Sequence, residues 1–101
     1  MDDPCREILP LVKQPDLAEQ DQQSTVYLGI DGLNCGNCAN RVRNSLLTTY
    51  GVTAVTIDQP QGLGEVRYNP SLTNVEVLVR SVAAAGGDGH HNYSAVVLSM
   101  D

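Results

Sequence analysis

The segment Thr25-Val26-Tyr27-Leu28-Gly29-Ile30-Asp31-Gly32-Leu33-Asn34-Cys35-Gly36-Asn37-Cys38-Ala39 changes character twice along its length. Val26, Leu28 and Ile30 fall on one side of an extended chain and Tyr27 and Gly29 on the other, the alternation of a half-buried strand. Asp31-Gly32 then marks a turn. Two cysteines three positions apart follow, and a helical spacing begins at once. A helix N-terminus presents unpaired N–H groups and the positive end of the peptide dipole. A thiol placed there ionises more readily, and the thiolate is the form that binds metal or attacks a disulfide. Cys35 and Cys38 are therefore expected as a pair of soft sulfur ligands on an exposed loop.

Toward the C-terminus the pattern predicts a helix from Gly36 or Asn37 to Tyr50. Ala39, Val42, Leu46 and Tyr50 form its apolar stripe, Leu47 lies beside it, and Gly51 ends it. Val52 to Ile57 is rich in β-branched residues and reads as a strand. Pro60, Gly62 and Gly64 punctuate a turn, and Glu65 to Tyr68 alternates again, so the two strands form a hairpin. Thr73 followed by Glu76 has the spacing of a capping box. The helix it opens carries Val75, Leu78, Val79, Val82 and Ala85 inward and stops at Gly86-Gly87. A polar loop containing His90 and His91 leads to a last strand from Tyr93 to Leu98. The order βαββαβ predicts an α+β, ferredoxin-like sandwich, a four-stranded antiparallel sheet with both helices on one face.

Residues 1–23 differ from the rest, holding three of the five prolines and many charged or amide side chains. They are expected as a disordered N-terminal tail with one helical turn near Cys5 to Leu9, its acidic stretch from Asp16 to Asp21 solvated. Residues 24–101 form the folded domain. With no Phe and no Trp, its core must be aliphatic. A net charge of −6 makes nucleic acid and anionic membrane surfaces poor partners, because affinity for phosphate needs cationic side chains. A basic protein surface suits it better. No apolar run approaches the roughly 18 residues of a spanning helix, and the start lacks the pattern of a secretion signal. The expected location is cytoplasmic, as a free protein or as a cytoplasmic domain of a membrane transporter. An odd count of three cysteines, two of them too close to staple a fold, points to reduced thiols.

Gly32-Leu33-Asn34-Cys35-Gly36-Asn37-Cys38-Ala39 resembles the metal-loop motif of the heavy-metal-associated domain family. The likeness continues through Val42, Leu46, Gly51-Val52, Val55, Val66-x-Tyr68-Asn69-Pro70 and Ala85-Gly86, across residues 25–100. That family includes small copper chaperones, N-terminal domains of metal-transporting P-type ATPases and mercury-binding proteins. The resemblance implies that Cys35 and Cys38 are metal-binding thiolates and that Leu33 replaces the family's Met as a hydrophobic plug. Asn34 stands where Thr is common, and Gly87 where an aromatic or basic residue is.

Two thiolates with an open face suit a soft ion that accepts low coordination, and Cu(I) is the leading candidate. Zn(II), Cd(II) and Hg(II) also bind thiolates, although structural zinc wants four ligands. His90, His91 and Cys5 are candidate additional ligands; each also reads as a solvated loop histidine or a free thiol on the tail, and those plainer readings are preferred. The expected function is non-enzymatic binding and transfer of one soft ion to or from a protein with a matching thiolate motif. The chain would serve as the N-terminal domain of a metal-transporting P-type ATPase or as a small metallochaperone, monomeric or bridged into a dimer by metal. Two alternatives stay open. One is a thioredoxin-like thiol–disulfide oxidoreductase, opposed by the missing Trp and by the absence of Pro between the cysteines. The other is a metal-responsive regulatory module.

Overall fold

The computed structural model describes residues 11–33, 37–86 and 92–100. Cys5, Cys35, His90 and His91 lie outside them, as does the turn expected near Cys5 to Leu9. A short helix α1 (Leu17–Gln20) precedes β1 (Ser24–Asp31), α2 (Cys38–Leu47), β2 (Val52–Asp58), β3 (Leu63–Tyr68), α3 (Val75–Ala84) and β4 (Ser94–Met100). The strands form one sheet in the order β2-β3-β1-β4, and every neighbouring pair is antiparallel. This is the expected ferredoxin-like βαββαβ arrangement, with α2 and α3 on one face.

Alternation decides which side of each strand is dry. Val26, Leu28 and Ile30 of β1 are buried, as are Val66 and Tyr68 of β3 and Val52 and Val55 of β2. They meet Leu78 and Val82 of α3 and Cys38, Val42, Leu46 and Leu47 of α2 in one aliphatic core. Each fully buried Val or Leu contributes about 1.5–3 kcal/mol. The helices also touch through hydroxyls: Ser45 Oγ donates to the Ser81 carbonyl at 2.6 Å, and Thr49 Oγ1 lies 2.9 Å from Ser81 Oγ.

Two expectations about the helices need correction. The inward stripe of α2 runs through Cys38, Val42 and Leu46, at i, i+4 and i+8, and not from Ala39 to Tyr50. The helix ends at Leu47, and Tyr50 is 53% exposed, donating its hydroxyl proton to Asp16 Oδ2 at 2.9 Å. Gly51 comes three residues after the C-cap at Thr48 and makes the left-handed bend into β2. A Cβ at Gly51 would stand 3.0 Å from both Leu72 Cβ and Thr73 Cγ2. That contact explains the second correction. Thr73 is packed beneath this bend, so the N-cap of α3 falls one residue later, where Asn74 Oδ1 accepts from the Val77 N–H at 3.0 Å. Glu76, expected to reach back in a capping box, pairs with Arg80 one turn on.

Residues 11–23 also depart from the expected disordered tail. Asp16 and Glu19 cap α1 reciprocally, and Glu19 is turned inward and buried. Its Oε2 accepts from the Gly51 N–H and from Lys13 Nζ, both at 2.7 Å. The same ammonium donates to the carbonyls of Thr49 and Val52 at 3.1 and 2.6 Å, tying Lys13 to the turn between α2 and β2. Burial pushes the Glu19 carboxyl up, but bonds from Lys13, Gly51 and Asp16, with the Lys13 charge, outweigh it and hold the pKa below the ordinary 4.5. Leu11 and Ala18 add backbone bonds to Asn44, Arg43 and Asn69. The segment is strapped across the end of the domain where α2 passes into β2.

Candidate metal centre

The β1–α2 connection leaves the sheet at its other end. Asp31 pairs with Ser94, so this connection and the one between α3 and β4 emerge side by side, as the topology predicts. Gly32 begins the turn with φ +99°, and a Cβ there would stand 2.1 Å from the Asn92 carbonyl oxygen. Only glycine lets the two connections approach so closely. The same absent Cβ would lie 3.0 Å from Tyr93 Cδ1, so the buried Tyr93 ring packs at the base of the turn. Leu33 is partly buried against the core, and its carbonyl accepts from Gln59 Nε2 of the β2–β3 turn at 3.4 Å. The stem of the loop is therefore held from three sides before the first cysteine is reached.

Of the sequence-predicted ligands, only Cys38 is among the described residues. It is the first residue of α2 and is 0% exposed, packed in the core with Val42 and Leu46. The expectation of an exposed sulfur is corrected for this residue, because the helical register that buries Val42 and Leu46 carries Cys38 inward as well. Cys38 is also disulfide-bonded, where reduced thiols are expected from the sequence. Metal binding through this sulfur requires the reduced thiolate. Among the described residues no three His, Cys, Asp or Glu side chains converge as a metal cage. Asp31, at the exposed end of β1, belongs to no such cluster.

Tyr93 and Gln59 are supporting residues that sequence reasoning did not single out. Tyr93 carried a signal, being an aromatic residue placed directly after the polar loop in a chain with little aromatic content. Gln59 carried none, since its role depends on the β2–β3 turn folding back toward β1.

The sequence model of the heavy-metal-associated domain matches residues 28–88, a span that includes Cys35 and Cys38. The chain belongs to the heavy-metal-associated domain family. Its relatives include a copper-exporting P-type ATPase from Staphylococcus epidermidis, 33% identical over 70 residues that make up 69% of this chain and 9% of that protein. The chain therefore spans about a tenth of the length of such a relative. Similar solved structures include a copper-binding domain from HMA7, a P-type ATPase, at a TM-score of 0.69 and 23% identity, covering 77% of this chain and 97% of that one. Oxidised MerP from Ralstonia metallidurans CH34 matches with a TM-score of 0.69 and 24% identity, over 77% of this chain and 100% of that one. At these identities the structural likenesses establish the fold. A heavy-metal-associated domain is a metal-binding module and not a catalytic one. No helix among the described residues is long and apolar enough to cross a membrane.

Proposed function

We propose that this heavy-metal-associated domain binds one Cu(I) between the thiolates of Cys35 and Cys38 and passes it to or from a protein carrying a matching thiolate pair. The observation that carries this reading is Cys38 at the first turn of α2, behind a loop stem built around Gly32 and within the span matched by the family. The relatives named as copper-exporting and copper-transporting ATPases support copper as the ion. They also favour the role of a metal-receiving domain of a P-type ATPase, with a free metallochaperone as the other form. Zn(II), Cd(II) and Hg(II) are weaker candidates, since nothing in those relatives' names points to them. His90, His91 and Cys5 are not needed for a two-coordinate soft ion.

Transfer proceeds by ligand exchange. An incoming thiolate bonds to the bound ion, a three-coordinate bridged species forms, and one original sulfur–metal bond breaks. Repeating the step moves the ion without releasing it to water. The burial of Cys38 gives the exchange a direction. The recessed Cys38 bond breaks last.

Competition titration of the reduced protein with Cu(I) tests the proposal. One ion should bind to the wild type, Cys35→Ser and Cys38→Ser should each abolish tight binding, and Cys5→Ser and the His90/His91 double Ala variant should bind as the wild type does. Unchanged stoichiometry and affinity in Cys35→Ser would refute the site. A thiol–disulfide oxidoreductase is the alternative that the same two cysteines allow. Catalytic turnover in an anaerobic insulin-reduction assay, lost in both cysteine variants, would establish that reading instead.

A further inference from the structure

The core closes without residues 11–23. No side chain from that segment joins the aliphatic cluster between the sheet and the helices α2 and α3. Within it only Lys13, Pro15 and Glu19 are not exposed, and the large apolar side chains Val12 and Leu17 are 83% and 86% exposed. Polar bonds hold the segment instead. Asn69 Nδ2 donates to the Ala18 carbonyl at 2.8 Å, the Tyr50 hydroxyl donates to Asp16, and Asn44 and Arg43 bond the backbone of Leu11. At the centre is the pair Lys13–Glu19, whose side chains are 16% and 4% exposed. Lys13 is the only lysine of the chain, and its ammonium is divided between Glu19 and two carbonyls of the α2–β2 turn. An element attached by polar bonds, with little apolar area buried, opens at lower cost than the core beside it.

We propose that residues 11–23 form a latch that opens as a unit while the sheet and the helices α2 and α3 stay folded, with the Lys13–Glu19 pair as its catch. Losing either charge leaves the other buried without its partner, which favours swinging the segment into water. The opening is all-or-none because the catch and the cap are the same residues. Asp16 accepts from the Glu19 N–H and Glu19 Oε1 from the Asp16 N–H, so turning Glu19 outward undoes the cap, and a helix as short as α1 does not persist alone. Closed, the strap runs antiparallel to α2, from Thr49 at Lys13 to Asn44 and Arg43 at Leu11. Open, it bares the Gly51 N–H, the Thr49 and Val52 carbonyls and the Arg43 guanidinium. The latch thus changes the surface that the domain presents at the end away from the metal loop. Acid works the catch. The charged groups facing Glu19 are Lys13 and Asp16 of the strap; Tyr50 stands behind Asp16, the bend contributes the Gly51 N–H, and β2 brings the Val52 carbonyl, which meets Lys13. The closed form holds the Glu19 carboxyl below its ordinary 4.5, so the open form takes up the proton first. Closure is complete above pH 4.5 and weakens as the pH falls through the depressed value.

Acylation of the single lysine side chain in the reduced, metal-free full chain, read by mass spectrometry at mildly alkaline pH, tests this. Lys13 of the wild type should react at least about tenfold more slowly than in the urea-unfolded chain. Glu19→Gln keeps an acceptor for the Gly51 N–H but loses the charge that holds Lys13. It should speed the reaction at least about tenfold with the far-ultraviolet circular dichroism unchanged. Asp16→Ala should speed it too, since the segment opens in one piece, and Leu17→Ala, at an exposed site of α1, should not. In the wild type, protection of the Gly51 amide from hydrogen exchange should fall between about pH 6 and about pH 4, while that of Val42 within α2 holds. Equal reactivity of Lys13 in the wild type and Glu19→Gln, or reactivity that rises only as the circular dichroism is lost, would overturn the proposal. So would protection of Gly51 that does not respond to pH.

Discussion

Gly32→Ala probes the point where the fold supports the metal loop. The residue has φ +99°, in the left-handed region, where a non-glycine residue costs about 1–2 kcal/mol. The added methyl would lie 2.1 Å from the Asn92 carbonyl oxygen and 3.0 Å from Tyr93 Cδ1. The first contact is backbone on backbone, so a rotamer change cannot relieve it, and the two connections must separate by about 1 Å to reach an ordinary distance. That movement loosens the end of the β1–β4 ladder at Asp31 and Ser94, at about 1 kcal/mol for each weakened bond. The total is about 2–4 kcal/mol, a fall in Tm of roughly 10–25 °C for a domain of this size. Urea denaturation of the reduced, metal-free protein, followed by far-ultraviolet circular dichroism, measures it. Gly29→Ala is the control, because its methyl would meet Val96 and Leu98 side chains at an ordinary 3.4 Å. Cu(I) affinity of the folded Gly32→Ala protein should fall at least tenfold as the loop stem shifts. Stability within about 0.5 kcal/mol of wild type would refute the account of how the loop is held.

Glu19→Ala leaves the Gly51 N–H and the Lys13 ammonium without their carboxylate and should destabilise the domain by about 3 kcal/mol in urea denaturation. The Lys13→Met/Glu19→Leu double variant should recover most of that loss, since apolar replacement of a buried pair is often near neutral. The folded-state pKa of Glu19 lies below its ordinary 4.5, so its contribution is complete above pH 4.5 and is lost as the pH falls through the depressed folded value. The stability difference between wild type and Glu19→Gln should therefore shrink on acidification below that point. Thr73→Val should raise stability by about 1 kcal/mol, because Thr73 Oγ1 is buried without a hydrogen-bond partner among the described residues. Chemical denaturation at neutral pH reads it, and a loss of stability would show that the hydroxyl is satisfied.

The strands were legible because each carries a period of two and each has one dry face. Val26, Leu28 and Ile30 face the core as the alternation requires, and the strand boundaries moved by only a residue or two. Helix α3 was equally readable, since Leu78 and Val82, four positions apart and both expected to face inward, are its buried residues. In helix α2, Val42, Leu46 and Leu47 face inward as expected, and the stripe differs at its start, where Cys38 takes the place expected for Ala39, for a chemical reason. A Cys-x-x-Cys motif reads as a pair of exposed ligands, although a thiol is also a small apolar side chain that packs well. Counting Cys38 among the apolar residues gives the stripe Cys38, Val42, Leu46 at once.

The strap formed by residues 11–23 was partly written in the sequence, because Asp16-x-x-Glu19 has the spacing of a capping box. Its acidic surroundings suggested a solvated stretch, and nothing local announced that Glu19 would turn inward to meet Gly51, thirty-two positions away. Such a contact depends on a left-handed bend at Gly51 that leaves an N–H pointing outward, and on Lys13 arriving to balance the charge. Burial of a carboxylate is tolerable only when all these partners are present together. Composition registers each of them as a separate polar residue. The information that makes them one unit is the path of the chain, which exists only once β1 and β2 have found their places in the sheet.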